Sequence, residues 1–279
     1  MKSFPASPSY SSGREPTLPT PAEIRAINRE SGHVRSKIFG RPPPVIIPSQ
    51  GLLVKYGSNV TTVEAQTQMM LYESLRGQVP IPKVFDWTED GGQGFIYMSL
   101  IEGETLQERW ASMSETERRA VCEELRRMVK AWRALKQEGH YIGSLGKKPL
   151  NEIFLQSHPD TAGPCEGDDA VQRFQHACGI DITDETPIVF THDDISPPNI
   201  LLSRGPNPKV AAIIDWGQAG WYPSYWEYCK ARQVGINPKY FDDVMQEEWY
   251  TKYLPMILDP VDEERIYHPF VYFVLSKGI

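Results

Sequence analysis

Thr191-His192-Asp193-Asp194-Ile195-Ser196-Pro197-Pro198-Asn199-Ile200-Leu201-Leu202 is the most informative stretch of this chain. It follows Pro187-Ile188-Val189-Phe190, an apolar run whose composition predicts a short strand. A polar cluster at a strand end sits where a loop presents side chains to a cleft. Asp194 and Asn199 stand five residues apart across a turn stiffened by two prolines. A second apolar run, Val210-Ala211-Ala212-Ile213-Ile214, ends in Asp215-Trp216-Gly217. Asp215 lies 21 residues beyond Asp194, a distance that a hairpin closes by returning it to the same mouth. One carboxylate and one amide oxygen aimed together are hard ligands suited to Mg2+. A second carboxylate left free can take a proton from a hydroxyl.

Toward the N-terminus the pattern is strand-rich. After Pro42-Pro43-Pro44 come Val45-Ile46-Ile47 and Gly51-Leu52-Leu53-Val54-Lys55-Tyr56, with Pro48-Ser49-Gln50 as the turn of a hairpin. Thr61 and Glu64 have capping-box spacing, which predicts a helix that Gly77 stops. Val84-Phe85-Asp86-Trp87 and Phe95-Ile96-Tyr97-Met98 predict two further strands around the turn Asp90-Gly91-Gly92. The middle differs. Ser114 and Glu117 repeat the capping box, and Val121, Leu125, Met128, Trp132 and Leu135 mark the buried face of a helix ending at Gly139. Residues 157–170 read as a loop, and the stretch beyond Asp215 as aromatic-rich helices. The expected organisation is a Ser/Pro-rich tail over 1–21, a small lobe over 22–98, a linker over 99–104 and a larger helical lobe over 105–279.

Composition narrows the classes. At 279 residues, the chain suits one large domain or two lobes sharing a cleft. With 40% hydrophobic and 23% charged residues it is neither disordered overall nor a coiled coil. No apolar run reaches membrane-spanning length. A net charge of -7 disfavours a general nucleic-acid binder and would not repel a cationic small molecule. The Arg118, Arg119, Arg126 and Arg127 set reads as a solvated helix side. Cys122, Cys165, Cys178 and Cys229 form no CxxC pair, and residues 1–21 lack the apolar core of a secretory signal. The expectation is a cytoplasmic protein with reduced thiols, monomeric by default, with neither nucleic acid nor membrane as partner.

His192-x-Asp194-x-x-x-x-Asn199 followed by Asp215-x-Gly217 resembles the paired motifs of kinase-like phosphotransferases. The details are similar to the aminoglycoside phosphotransferase/choline kinase family, especially its divergent fungal members. They include Ile213-Ile214-Asp215-Trp216-Gly217-Gln218-Ala219-Gly220-Trp221-Tyr222-Pro223 with Tyr225-Trp226-Glu227-Tyr228. Upstream, Leu53-Val54-Lys55-Tyr56-Gly57, Val63-Glu64-Ala65, Val79-Pro80-Ile81-Pro82 and Tyr97-Met98-Ser99-Leu100-Ile101-Glu102-Gly103 follow the same order. The resemblance implies an α+β, protein-kinase-like fold with a strand-rich N-lobe and a mainly helical C-lobe. It implies ATP- and Mg2+-dependent phosphorylation of a hydroxyl on a small molecule.

By that resemblance Lys55 holds the α/β-phosphates, and Glu64 pairs with it, with Glu73 as the other candidate. Asp194 is the catalytic base, and Asn199 and Asp215 bind Mg2+. Ser99 and Ile101 contact adenine through their backbone. His192 supports the loop by packing and hydrogen bonding. Trp226 and Glu227 pack the C-lobe, although Glu227 and the acidic residues after Asp242 would also suit an amine-bearing acceptor. Three departures stand out. No Gly-rich phosphate loop precedes the hairpin, only Gly40-Arg41 before the prolines and Gly51 in the turn. Asp193 replaces the customary Gly; it would either raise the pKa of Asp194 by like-charge repulsion or point outward without effect. Ser196 stands where protein kinases carry Lys, and no Ala-Pro-Glu segment follows, which disfavours a protein kinase. The weak Gly loop leaves one rival, a pseudokinase-like regulatory protein that binds nucleotide with little catalysis.

Overall fold

The structure is a computed structural model that describes residues 18–277. Of the tail expected over 1–21, residues 1–17 lie outside the described residues. The remainder is ordered by a cap that sequence reasoning did not use. Thr20 and Glu23 form a capping box, and Pro21 opens helix α1, Pro21–Glu30. The chain divides into two compact units. Among the described residues, one holds those up to Met69 together with Pro82–Ile101; the other holds Met70–Ile81 and those from Glu102 onward.

The first unit is built on an antiparallel sheet of β1 (Val45–Ile47), β2 (Leu52–Gly57), β3 (Val84–Asp90) and β4 (Gln93–Ser99), in the order β1-β2-β4-β3. The two hairpins and the helix α2 (Thr62–Ser74) fall where the apolar runs and the Thr61 cap predict. Side chains alternate across a strand, so β2 faces two ways. Leu52, Val54 and Tyr56 pack with Ile24 of α1 and with Phe95 and Tyr97 of β4. Leu53 belongs to the opposite layer, with Ala65 and Met69 of α2 and Ile96 and Met98 of β4. Lys55 shares that opposite parity and so projects on the α2 side. Gly57 follows at φ +142°, where an added Cβ would lie 2.2 Å from the Gly40 carbonyl oxygen. The chain entering the sheet thus crosses directly over this residue, and no side chain fits.

The second unit is larger and mainly helical. Its elements are β5 (Glu104–Thr105), α3 (Leu106–Arg109), α4 (Glu115–Arg133), β6 (Tyr141–Ile142), β7 (Cys165–Glu166) and α5 (Ala170–Cys178). These continue as β8 (Ile188–Thr191), β9 (Ile200–Leu202), β10 (Val210–Ile213), β11 (Gly220–Pro223), α6 (Trp226–Gln233), α7 (Asp243–Glu248), α8 (Leu254–Ile257) and α9 (His268–Ser276). Its core includes Leu71, Leu75, Val79 and Ile81, so the end of α2 and the following turn pack here rather than with the strands. Helix α4 carries the expected capping box and buries Val121, Leu125, Met128 and Trp132. It stops at Arg133, six residues before Gly139, because the chain turns back on itself. Gln137 bonds both backbone groups of Tyr141 at 3.0 Å and closes that turn. A second cluster surrounds Trp226, where Phe174, Tyr222, Phe270 and Phe273 meet its ring. No helix among the described residues is long and apolar enough to cross a membrane.

Candidate functional site

In the second unit, strand β8 ends at Thr191 and releases His192, Asp193 and Asp194. A single turn of 3-10 helix, Pro197–Asn199, then leads into β9. The turn is stitched by the carbonyl of Asp194, which accepts the Ser196 amide at 2.9 Å and the Asn199 side-chain amide at 2.9 Å. The Asn199 nitrogen is thereby engaged with the backbone, which leaves its oxygen as the atom that could hold a cation. Ser196 Oγ donates to the Asp194 carboxylate at 3.3 Å. Asp194 is half-buried and Asn199 buried.

Strands β9 and β10 pair antiparallel with Ile200 opposite Ile213. The Ile214 amide donates to the Asn199 carbonyl at 3.0 Å. The hairpin therefore returns Asp215 to the turn that carries Asp194 and Asn199, as its spacing predicts. Asp215 adopts a left-handed conformation, φ +65°. The following Trp216 is fully buried, donates Nε1 to the Ile213 carbonyl at 3.1 Å, and sets its ring 4.4 Å from His192 and 5.6 Å from Trp132. That anchor fixes the backbone on the far side of Asp215.

His192 supports the loop from inside. Its Nδ1 accepts the Asp194 amide at 3.1 Å, and its Nε2 lies 3.0 Å from the Ile214 carbonyl. One nitrogen accepting and the other donating is the pattern of a neutral imidazole. Burial pulls the His192 pKa down, against the upward pull of Asp194, Glu227 and Asp215.

Asp193 follows neither expectation. It points inward, 1% exposed, with its carboxylate 3.0 Å from Lys230 Nζ. Burial still raises its pKa well above the ordinary carboxylate range, against the lowering by Lys230. Glu227 is also turned inward, 1% exposed; it accepts the amides of His192 and Asp193 at 2.8 and 3.2 Å and meets Arg133 at 3.3 Å. Its carboxylate is thus engaged in holding the loop. Lys230 and Glu152 escaped sequence reasoning. The sequence carried no signal for them; Lys230 demands a counter-charge only because the first half of its helix is buried.

In the first unit, Lys55 of β2 forms an ion pair with Glu64 in the first turn of α2. Glu64 is 3% exposed. Its backbone amide donates to Thr61 Oγ1 at 3.2 Å, so Thr61 caps the helix while the Glu64 carboxylate pairs with Lys55. Ser99 lies at the end of β4, where its amide donates to the Lys83 carbonyl at 2.8 Å and its hydroxyl accepts the Lys83 amide at 2.9 Å. That amide is therefore already engaged. Ile101 is the half-buried last residue of the unit.

Among the described residues, no three His, Cys, Asp or Glu side chains converge on a metal position. An Asn–Asp pair suits Mg2+ nonetheless, because that ion keeps waters and substrate phosphates among its ligands.

Known proteins resemble this chain in sequence and in fold. A curated relative, an aminoglycoside 3'-phosphotransferase from Enterococcus faecalis, is 24% identical over 178 residues. That match covers 60% of this chain and 65% of the relative, so the chain spans about two thirds of the relative's length. The fold is similar to a solved aminoglycoside-3'-phosphotransferase of type VIII, with a TM-score of 0.52 at 16% identity, covering 92% of this chain and 99% of that one. An aminoglycoside phosphotransferase from Streptomyces rimosus gives 0.52 at 18% identity, covering 92% and 97%. A third, a thermostable aminoglycoside phosphotransferase mutant in ternary complex with AMP-PNP and hygromycin B, gives 0.51 at 16%, covering 92% and 88%. These likenesses establish the two-lobed, protein-kinase-like α+β fold. The family model for the phosphotransferase enzyme family matches residues 51–237, more than half of the sequence, and the chain belongs to that family.

Proposed function

We propose that this phosphotransferase moves the γ-phosphoryl group of ATP, as its Mg2+ complex, to a hydroxyl of a small molecule. The observation that carries the reading is the joined pair of turns, in which the Ile214 amide donates to the Asn199 carbonyl and so returns Asp215 to the turn that begins at Asp194. Asp194 carries a half-exposed carboxylate on a loop fixed from below, the arrangement needed to orient an acceptor hydroxyl and take its proton. The Asn199 oxygen and Asp215 would hold the metal, and bound Mg2+ would offset charge on the β- and γ-phosphates. Lys55, held in place by Glu64, would contact the α/β-phosphates. Ser99 and Ile101 would meet adenine, Ser99 through its carbonyl because its amide is engaged. The neighbour solved with AMP-PNP and hygromycin B supports a nucleotide donor and a small-molecule acceptor. A cytoplasmic site of action fits the four free, buried cysteines.

The test is ADP release in the presence of Mg2+ across a panel of hydroxyl compounds that includes aminoglycosides, choline-like alcohols and sugars. Mass gain of one phosphoryl group on an acceptor supports the reading. A second reading, nucleotide binding without transfer, draws on residues 38–44. There Phe39 and Gly40 give their carbonyls to the Ser58 and Asn59 amides, and no Gly-rich loop is formed. Calorimetric ATP binding without product on any acceptor would favour it.

A further inference from the structure

Helix α6 turns Glu227 and Lys230, three residues apart and hence on one face, toward residues 192–194. Both are no more than 2% exposed. Glu227 takes two backbone amides of the loop. Lys230 Nζ lies 3.0 Å from Asp193 Oδ2 and 2.5 Å from Glu152 Oε1, and donates to Gln218 Oε1 at 2.8 Å. Gln218 Oε1 also accepts the Ile153 amide at 3.0 Å, and Asn151 Nδ2 donates to the Gly217 carbonyl at 2.9 Å. The ammonium is thus held by two other segments of the chain, around Glu152 and Gln218, besides Asp193.

Asp193 needs such a hold. Its φ is +63°, in the left-handed region that glycine enters freely and an aspartate only at a cost. A backbone of this kind persists where the surroundings over-determine it. The φ and ψ of Asp193 set the direction in which the next residue, Asp194, leaves the loop.

We propose that Lys230 is a positioning residue for the reaction: by gripping the Asp193 carboxylate it keeps that residue left-handed and so aims Asp194 at the acceptor. The inference rests on Asp194 being the base, and its test separates the two ideas. Lys230→Met is combined with Glu152→Gln, because removing the ammonium alone would leave two buried carboxylates without a cation. The double variant should lose kcat by about a hundredfold, the effect of a displaced catalytic group, with ATP affinity by calorimetry little changed. Amide exchange at 192–194 should accelerate. Adding Asp193→Gly supplies a residue that adopts the left-handed conformation unaided, and should recover at least about tenfold of the lost kcat.

A purely structural role would lower stability without this split between kcat and ATP affinity, and without rescue by glycine. Wild-type kcat and exchange in the double variant, or no recovery on adding Asp193→Gly, overturns the proposal. Should the double variant not fold, the triple variant is compared with wild type. A kcat within about tenfold supports the proposal, and a loss near a hundredfold or beyond overturns it. If the wild type phosphorylates no acceptor, the reading of Asp194 falls. The exchange comparison then decides the geometric claim alone: acceleration at 192–194 supports it, and unchanged exchange overturns it.

Discussion

The amide of Ile214 donates to the carbonyl of Asn199 at 3.0 Å, so the residue before Asp215 is tied to the last residue of the turn that begins at Asp194. Residues far apart in sequence thereby share one rigid hairpin end. The cross-link extends the β9–β10 ladder beyond Ile200 and Ile213. Trp216 then anchors the chain on the other side of Asp215. Asn199 and Asp215, the residues that would hold a metal, thus have backbones whose separation is set by hydrogen bonds.

Asp215→Ala should therefore raise the Mg2+ concentration needed for half-maximal turnover by at least about tenfold, as loss of a metal-site group does. Folding should be largely retained, because Asp215 is half-buried at a strand end. A Mg2+ titration of ADP release checks this, and an unchanged midpoint would remove Asp215 from the metal site.

Asp194→Asn should reduce phosphoryl transfer by about 10²–10⁴-fold, the usual worth of a positioned base. The amide keeps the size of the side chain, and the Asp194 carbonyl that gathers Ser196 and Asn199 is untouched. ATP affinity measured by calorimetry should stay close to wild type. Turnover at the wild-type rate would mean that another group accepts the proton.

Acid should loosen this loop through His192. Burial keeps its imidazole neutral in the folded chain at pH values where the unfolded chain already takes up a proton. The unfolded value is about 6.5, so this residue contributes no pH dependence well above that value. Below it the unfolded state binds the proton first, and stability falls as pH drops, by up to about 1.4 kcal/mol per pH unit. Protonation would also turn Nδ1 from an acceptor into a second donor facing the Asp194 amide. His192→Gln should be less stable at pH 7 yet lose less on going from pH 6.5 to 5. Urea unfolding across that range checks the sign; equal losses in both proteins would contradict it.

Much of this was legible in the sequence because it depends on local rules. The strands of both hairpins, the Ser114 cap and the return of Asp215 follow from apolar runs and turn residues close in the chain. The destination of Asp193 was not legible. Its partner Lys230 is 37 residues away and Glu152 lies on a third segment, and nothing in their spacing signals an encounter. A buried lysine is recognisable only once its helix is known to be enclosed. The end of α4 was misplaced for a related reason. Leu135 keeps the helical period and packs on the core, but the side chain of Gln137 bonds back to Tyr141 and closes the turn before Gly139. Glu64 shows the opposite case, where its amide donates to the Thr61 cap and its carboxylate pairs with Lys55.

That double use makes Lys55 and Glu64 a sensitive pair. Glu64 sits 3% exposed in the first turn of α2, where the helix dipole favours a carboxylate, and the same carboxylate holds Lys55 on the neighbouring strand. Glu64→Gln removes the charge but keeps a polar group of the same size, so the helix should form while the ammonium loses its fixed position. The expected result is a rise of about tenfold or more in KM for ATP with a much smaller change in KM for the acceptor, because a displaced phosphate ligand weakens donor binding selectively. Lys55→Met should weaken ATP binding at least as much, and should also destabilise the fold, since it takes the ammonium from a buried carboxylate. Steady-state kinetics with each substrate varied, together with urea unfolding of both variants, separates the two effects. Equal rises in KM for ATP and for the acceptor in Glu64→Gln would argue that the pair supports the unit as a whole and does not address the nucleotide.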